Sequence, residues 1–199
     1  MKKLVFSTII LLCILGIAGC SGRTKSIDIK DVSANTMLAK SNGEIMVASI
    51  EDFDKPYYNL SDLQSFVNQQ VSDYNKKAGA DKIKVNNIKI IKKKAVLLLT
   101  YSGMDQYTAF NKVTAAYFNG GVKDNPLKLP TTLVNAKDKS LTSTQEVIKD
   151  ETYKVLVLNE PYTIYVDGKV KYYSENATLI DNNEVQGATD GMTIVVFKP

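Results

Sequence analysis

Two hydrophobic periods alternate along this chain, and the change from one to the other marks out its elements. Leu63, Phe66, Val67, Val71, Tyr74 and Ala78 recur at offsets of 0, 3, 4, 8, 11 and 15, the spacing of one helix face. Asp62, Gln64, Asn68, Gln69, Asp73 and Lys76 fall on the other side. The pattern predicts a helix from Ser61 to Ala78. Ser61 and Gln64 form a capping box, Lys76 and Lys77 suit the negative end of the dipole, and Gly79 suits the left-handed position after it. Phe66 and Val71 are expected to be buried against a sheet. A second helix is predicted from the Ser102 and Asp105 capping pair through Ala109, Phe110, Val113, Ala116 and Tyr117, ending at Gly120-Gly121.

Elsewhere the runs are β-compatible. Thr36 to Lys40 and Ile45 to Ile50 flank Ser41-Asn42-Gly43-Glu44, and Asn-Gly between such runs signals a hairpin because both residues accept positive φ. Ile83 to Ile91 alternates with a phase break at Asn86-Asn87, which predicts a bulge. Ala95 to Tyr101 is apolar throughout and reads as a central strand buried on both faces. Further strands are expected at Tyr153 to Leu158, Tyr162 to Val166, Lys169 to Tyr173 across an Asp167-Gly168 turn, Ala177 to Ile180, and Met192 to Phe197. Asn182-Asn183 and Asp190-Gly191 supply turns. Between the second helix and Tyr153, 122 to 151 is polar and long, with one short helix at Thr144 to Lys149, so it reads as a subdomain boundary or a functional loop. The fold class expected is α+β: mainly antiparallel sheet built from hairpins, two amphipathic helices packed on it, and a β-rich C-terminal part.

The N-terminus follows neither period. Lys2 and Lys3 precede an apolar run from Leu4 to Ile17, then Ala18-Gly19-Cys20. That is the layout of a secretory signal, with small residues before a cleavage point. The order Ile17-Ala18-Gly19-Cys20 resembles the lipobox of bacterial lipoproteins. The resemblance implies cleavage before Cys20 and a diacylglyceryl group on its thiol, hence a lipid-anchored protein on the extracytoplasmic face of the cell membrane. The expected organisation is a signal over 1–19, a lipidated Cys20 with a flexible tether over 20–33, and one domain over 34–199.

Composition narrows the chemistry. Among 199 residues there are two cysteines, Cys13 and Cys20, and no histidine. A mature chain would hold no disulfide or Cys-based metal site, and the usual general base, proton shuttle and zinc ligand are missing together. Loss of Lys2 and Lys3 leaves 23 basic against 21 acidic residues. That near-neutral balance gives no reason to expect nucleic acid as a partner.

Four groups of residues carry candidate chemistry. Glu51, Asp52 and Asp54 are clustered carboxylates of the kind that bind Ca²⁺ or hydrolyse glycosides, but they read better as a solvated strand end. Asp181-Asn182-Asn183-Glu184 lacks the Gly and Glu of a calcium loop and reads as a turn. Lys82, Lys84, Lys89, Lys92, Lys93 and Lys94 could meet anionic envelope material, though a charge run also protects a sheet edge. The adjacent pairs Tyr57-Tyr58 and Tyr172-Tyr173 are the tyrosines expected to contribute to any binding surface, since extended geometry turns one ring of each outward. No metal and no cofactor is expected.

The stretch Ile50-Glu51-Asp52-Phe53-Asp54-Lys55-Pro56-Tyr57-Tyr58, with Asp73-Tyr74-Asn75 and Tyr107-Thr108-Ala109-Phe110-Asn111, resembles a group of small clostridial-type lipoproteins that has no established activity. The resemblance covers the N-terminal half best and implies no site residue. The functional expectation is a non-catalytic binding or envelope-structural role toward an envelope protein or glycan. The alternative is a carboxylate-based, glycan-active enzyme.

Overall fold

A computed structural model describes residues 26–122 and 127–199; the expected signal, the lipobox and Cys20 lie outside the described residues. In chain order, β1 (Thr36–Ala39) and β2 (Ile45–Asp52) pair antiparallel across a turn closed by Gly43, whose φ is 92°. Helix α1 (Leu60–Ala78) follows, then β3 (Ile83–Ile91) and β4 (Lys94–Tyr101), paired antiparallel with a register shift between Val85 and Asn87. The phase break at Asn86-Asn87 therefore is a bulge. Lys92 and Lys93 form the turn between them with φ of 48° and 62°. Helix α2 (Met104–Asn111), β5 (Ala115–Asn119), β6 (Thr132–Asn135), β7 (Leu141–Ser143) and α3 (Thr144–Val147) come next. The chain ends with β8 (Lys154–Leu158), β9 (Thr163–Val166), β10 (Lys169–Tyr173), β11 (Thr178–Asp181), β12 (Glu184–Gln186) and β13 (Thr193–Lys198).

The strands form two sheets, ordered β11-β12-β9-β1-β2-β4-β3 and β5-β8-β13-β10-β6-β7. Among the described residues the β1–β9 pairing is parallel and the others are antiparallel. One apolar cluster joins the sheets: Met37, Val47, Ile164 and Val185 of the first meet Leu156, Leu158, Val195 and Phe197 of the second, and Val67 and Val71 of α1 join them. The architecture is α+β with antiparallel sheet dominant, as expected.

Both sheets are also covered on their outer faces. Ile29 is buried with Leu38, Met46, Ala48, Val96 and Leu98, and Ile27 and Val32 pack beside it. Residues 26 to 33, expected to be part of a flexible tether, thus line the first sheet. Three aliphatic residues in this polar stretch are enough to cover the strip that alternation leaves on that face. On the second sheet, Leu133, Val155, Val157, Ile194 and Val196 are covered by Val147 and Ile148 of the α3 region and by Leu127 and Leu129. The segment from 127 to 151 is therefore integral to that sheet: it supplies β6, β7 and the apolar cover.

Three local expectations are corrected. Asn59, not Ser61, caps α1, its side-chain oxygen accepting from the Ser61 and Asp62 amides at 2.8 and 3.3 Å; Gly79 does close the helix, with φ of 68°. The second helix stops at Asn111, where Lys112 turns left-handed, and Ala116 and Tyr117 lie in β5 on β8. Five backbone partners on β8 outweigh a helical spacing that the short segment could not sustain alone. Finally, Asp167-Gly168 does not close a hairpin: β9 belongs to the first sheet and β10 to the second. Gly168 is required at this crossing because a Cβ there would lie 2.4 Å from the Lys198 carbonyl oxygen.

Candidate functional site

The face of α1 next to its buried stripe builds the most site-like feature of the described residues. Leu63, Val67 and Val71 point at the sheet, while Phe66, Gln70, Tyr74 and Lys77, spaced by about one turn, border a groove whose other wall is α2 and whose floor is β2 and β4. Phe66 is 63% exposed. The expectation that it is buried is therefore wrong: its position is one step around the helix from Val67, at the edge of the apolar stripe rather than in it. The groove has a volume of about 480 Å³, within the range of small-ligand clefts.

Its inner end is aromatic and hydrogen-bonded. The Tyr74 ring meets Phe110 edge-on at 5.7 Å, and Phe110 lies 6.1 Å from Tyr101, which is itself edge-on to Tyr107 at 5.4 Å. The Asn111 amide donates to the Tyr101 hydroxyl at 3.1 Å and to the Tyr107 carbonyl at 2.9 Å, fixing the end of α2 over the floor. Behind it the Tyr107 hydroxyl donates to the Tyr162 hydroxyl at 3.3 Å. Burial pushes the Tyr101 phenol up to about 12, partly offset by the Asn111 donor. Tyr107 is pushed up by burial and by neighbouring Tyr162 and Glu160; Tyr162 is raised chiefly by burial as well. These phenols stay protonated at neutral pH, so they supply π faces and O–H groups and no base.

The residues singled out in the sequence do not converge here. Asp52 pairs with Lys94 at 2.8 Å, which lowers the Asp52 pKa through that hydrogen bond, and Asp54 lies 3.6 Å from Lys55. Both pairs are exposed. Asp181 to Glu184 forms the turn between β11 and β12, its Asp181 carboxylate accepting from the Asn182 amide. Among the described residues no three side chains of metal-ligating type come together. Of the tyrosine pairs, Tyr57 and Tyr58 are 76% and 42% exposed and pack edge-on at 5.0 Å. Tyr173 is buried in the shared core, and Tyr172 packs against Tyr153 in the outer cluster. In that second pair Tyr172 faces the outer side of its sheet but is half-buried there by the cover packed on that face. Phe66, Tyr74, Phe110 and Asn111 of the groove stood in the sequence only as parts of helical patterns or of segments with no site role attached, and Ser49 only as part of a strand.

Comparison with protein-family profiles, with curated proteins and with solved structures finds no match to this chain.

Proposed function

We propose that this chain is a lipid-anchored extracytoplasmic protein that holds an envelope ligand, a protein or a glycan, without transforming it, in the groove between α1 and α2. Anchoring rests on the order Ile17-Ala18-Gly19-Cys20 after a charged, then apolar, leader. The observation that carries the binding role is the exposed Phe66 beside a concave cleft floored by Leu97, Leu99 and Tyr101. The ring is 63% exposed and continues into the lining through Tyr74, Leu97, Leu99 and Phe110, and a mostly apolar concave surface with a few polar groups is the usual make-up of a binding cleft. Ser49 on the floor, Gln70 on the α1 wall and Asn111 at the end of α2 bring polar side chains to the lining, and the Tyr101 phenol keeps its proton at neutral pH.

Two variants test the two halves separately. Cys20→Ser should leave unprocessed precursor or release the chain from the membrane, since stable retention needs the two acyl chains. Phe66→Ala should leave folding intact and remove the envelope component that copurifies with the tagged wild-type chain. Normal retention of Cys20→Ser contradicts the anchor; unchanged copurification with Phe66→Ala contradicts the groove.

A further inference from the structure

The end of the first sheet where β2 stops and β4 begins carries a second exposed surface. Asp52 and Ile91 both lie opposite Lys94, and the Phe53 amide donates to the Lys93 carbonyl at 2.7 Å, so the loop after β2 is tied to the Lys92-Lys93 turn. The Phe53 ring is 4.9 Å from Tyr58, and Tyr58 is 5.0 Å from Tyr57. Three aromatic rings therefore stand in a row beside two lysines at a turn tip. Lys55 and Lys94 are engaged by Asp54 and Asp52. Lys89, Lys92 and Lys93 form no ion pair among the described residues, and Glu51 is the remaining acid of this end.

The chain also enters its first strand here. The Asn35 side chain accepts from the Ile50 amide at 2.8 Å, one residue before β1 and two before the end of β2. Val32 packs in the same outer cluster as Ile50 and Ile91. Ser26 is six positions after Cys20, a reach of about 20 Å at full extension. An anchor on Cys20 would hold the outer face covered by residues 26 to 33 near the bilayer, and Val32 and Asn35 tie that face to this end.

We propose that the end of the sheet bearing Phe53, Tyr57, Tyr58, Lys92 and Lys93 rests on the anionic headgroup layer of the bilayer that carries the anchor. The inference builds on the lipid-anchor reading. Tyrosine and phenylalanine rings settle at the headgroup level, and unpaired lysines add attraction to anionic lipid that salt weakens. The groove lined by Phe66 and Phe110 then stays clear of the membrane, open to its ligand.

The chain has no tryptophan, so one introduced at position 57 is a unique probe. The mature chain with Tyr57→Trp, recovered from membranes and reconstituted in phosphatidylglycerol-containing vesicles, should show blue-shifted emission that brominated acyl chains quench. The same chain with Phe66→Trp instead should show neither. Lys92→Asn with Lys93→Asn keeps residues that tolerate left-handed backbone, and each lost charge should shift the contact equilibrium by about fivefold. Phosphatidylcholine alone, or high salt, should act in the same direction without any substitution. Intact mass reports the anchor independently; a chain without lipid is added to excess vesicles and read in the same way. Emission at position 57 that ignores vesicles, or that follows protein concentration as in self-association, overturns the proposal.

Discussion

The Asn75 side chain grips Ile83 from both sides, its amide donating to the Ile83 carbonyl at 2.8 Å and its oxygen accepting from the Ile83 amide at 2.9 Å. The same oxygen accepts from the Lys82 amide at 3.0 Å. This clamp joins the last turn of α1 to the first residue of β3, and so fixes the helix that forms one wall of the groove. Asn75→Ala leaves those backbone groups unpaired next to a buried residue and should cost about 2–3 kcal/mol in denaturant unfolding. Asn75→Asp keeps the acceptor and should cost less.

On α1 itself, the observed facing reverses the expectation for one aromatic residue. Val71→Ala removes buried methyl groups and should destabilise by about 1.5–3 kcal/mol, while Phe66→Ala should cost under about 1 kcal/mol because its ring is already in water. Denaturant midpoints of the two variants check the order; a larger loss for Phe66→Ala would place that ring in the core.

At the crossing between sheets, Gly168→Ala sets a Cβ against the Lys198 carbonyl, at 2.4 Å without relaxation. Neither neighbour is a flexible side chain, so backbone must shift and the end of β13 must loosen. A loss of about 2 kcal/mol or more is expected. Hydrogen exchange should localise it to β10 and the end of β13.

Alkaline pH provides a readout of the buried phenols. The Tyr101 pKa is raised from 10.0 to about 12, so its contribution to stability is complete below pH 10 and is lost as pH rises through about 12, because the unfolded chain ionises first. A shift of that size corresponds to about 3 kcal/mol. Burial of Tyr107 and Tyr162 acts in the same direction. Unfolding measured across this window should show stability falling with pH, and Tyr101→Phe should flatten the fall.

Local signals that matched tertiary demands were legible from residues alone. The 3.6-residue spacing of Leu63, Val67 and Val71, the left-handed Gly79 and the bulge at Asn86-Asn87 needed no partner to be seen. Signals that long-range pairing overrode were not. Val113, Ala116 and Tyr117 keep helical spacing, yet β8 draws Ala116 and Tyr117 into a strand. Asp167-Gly168 has the form of a hairpin turn, but only the packing of two sheets shows that the chain changes sheet there. The groove was hidden for the same reason. Phe66 and Phe110 are 44 positions apart, and nothing local states that one stands at the edge of its stripe while the other faces the floor.

A photoactivatable residue in place of Phe66 reports whether the cleft between α1 and α2 holds an envelope ligand. In intact membranes, irradiation should yield a discrete adduct from position 66 and none from the exposed position of Lys149, which lies near α3. Identical adduct patterns from both positions, or none from position 66 in a chain that is folded and membrane-held, would show that the cleft holds no such ligand.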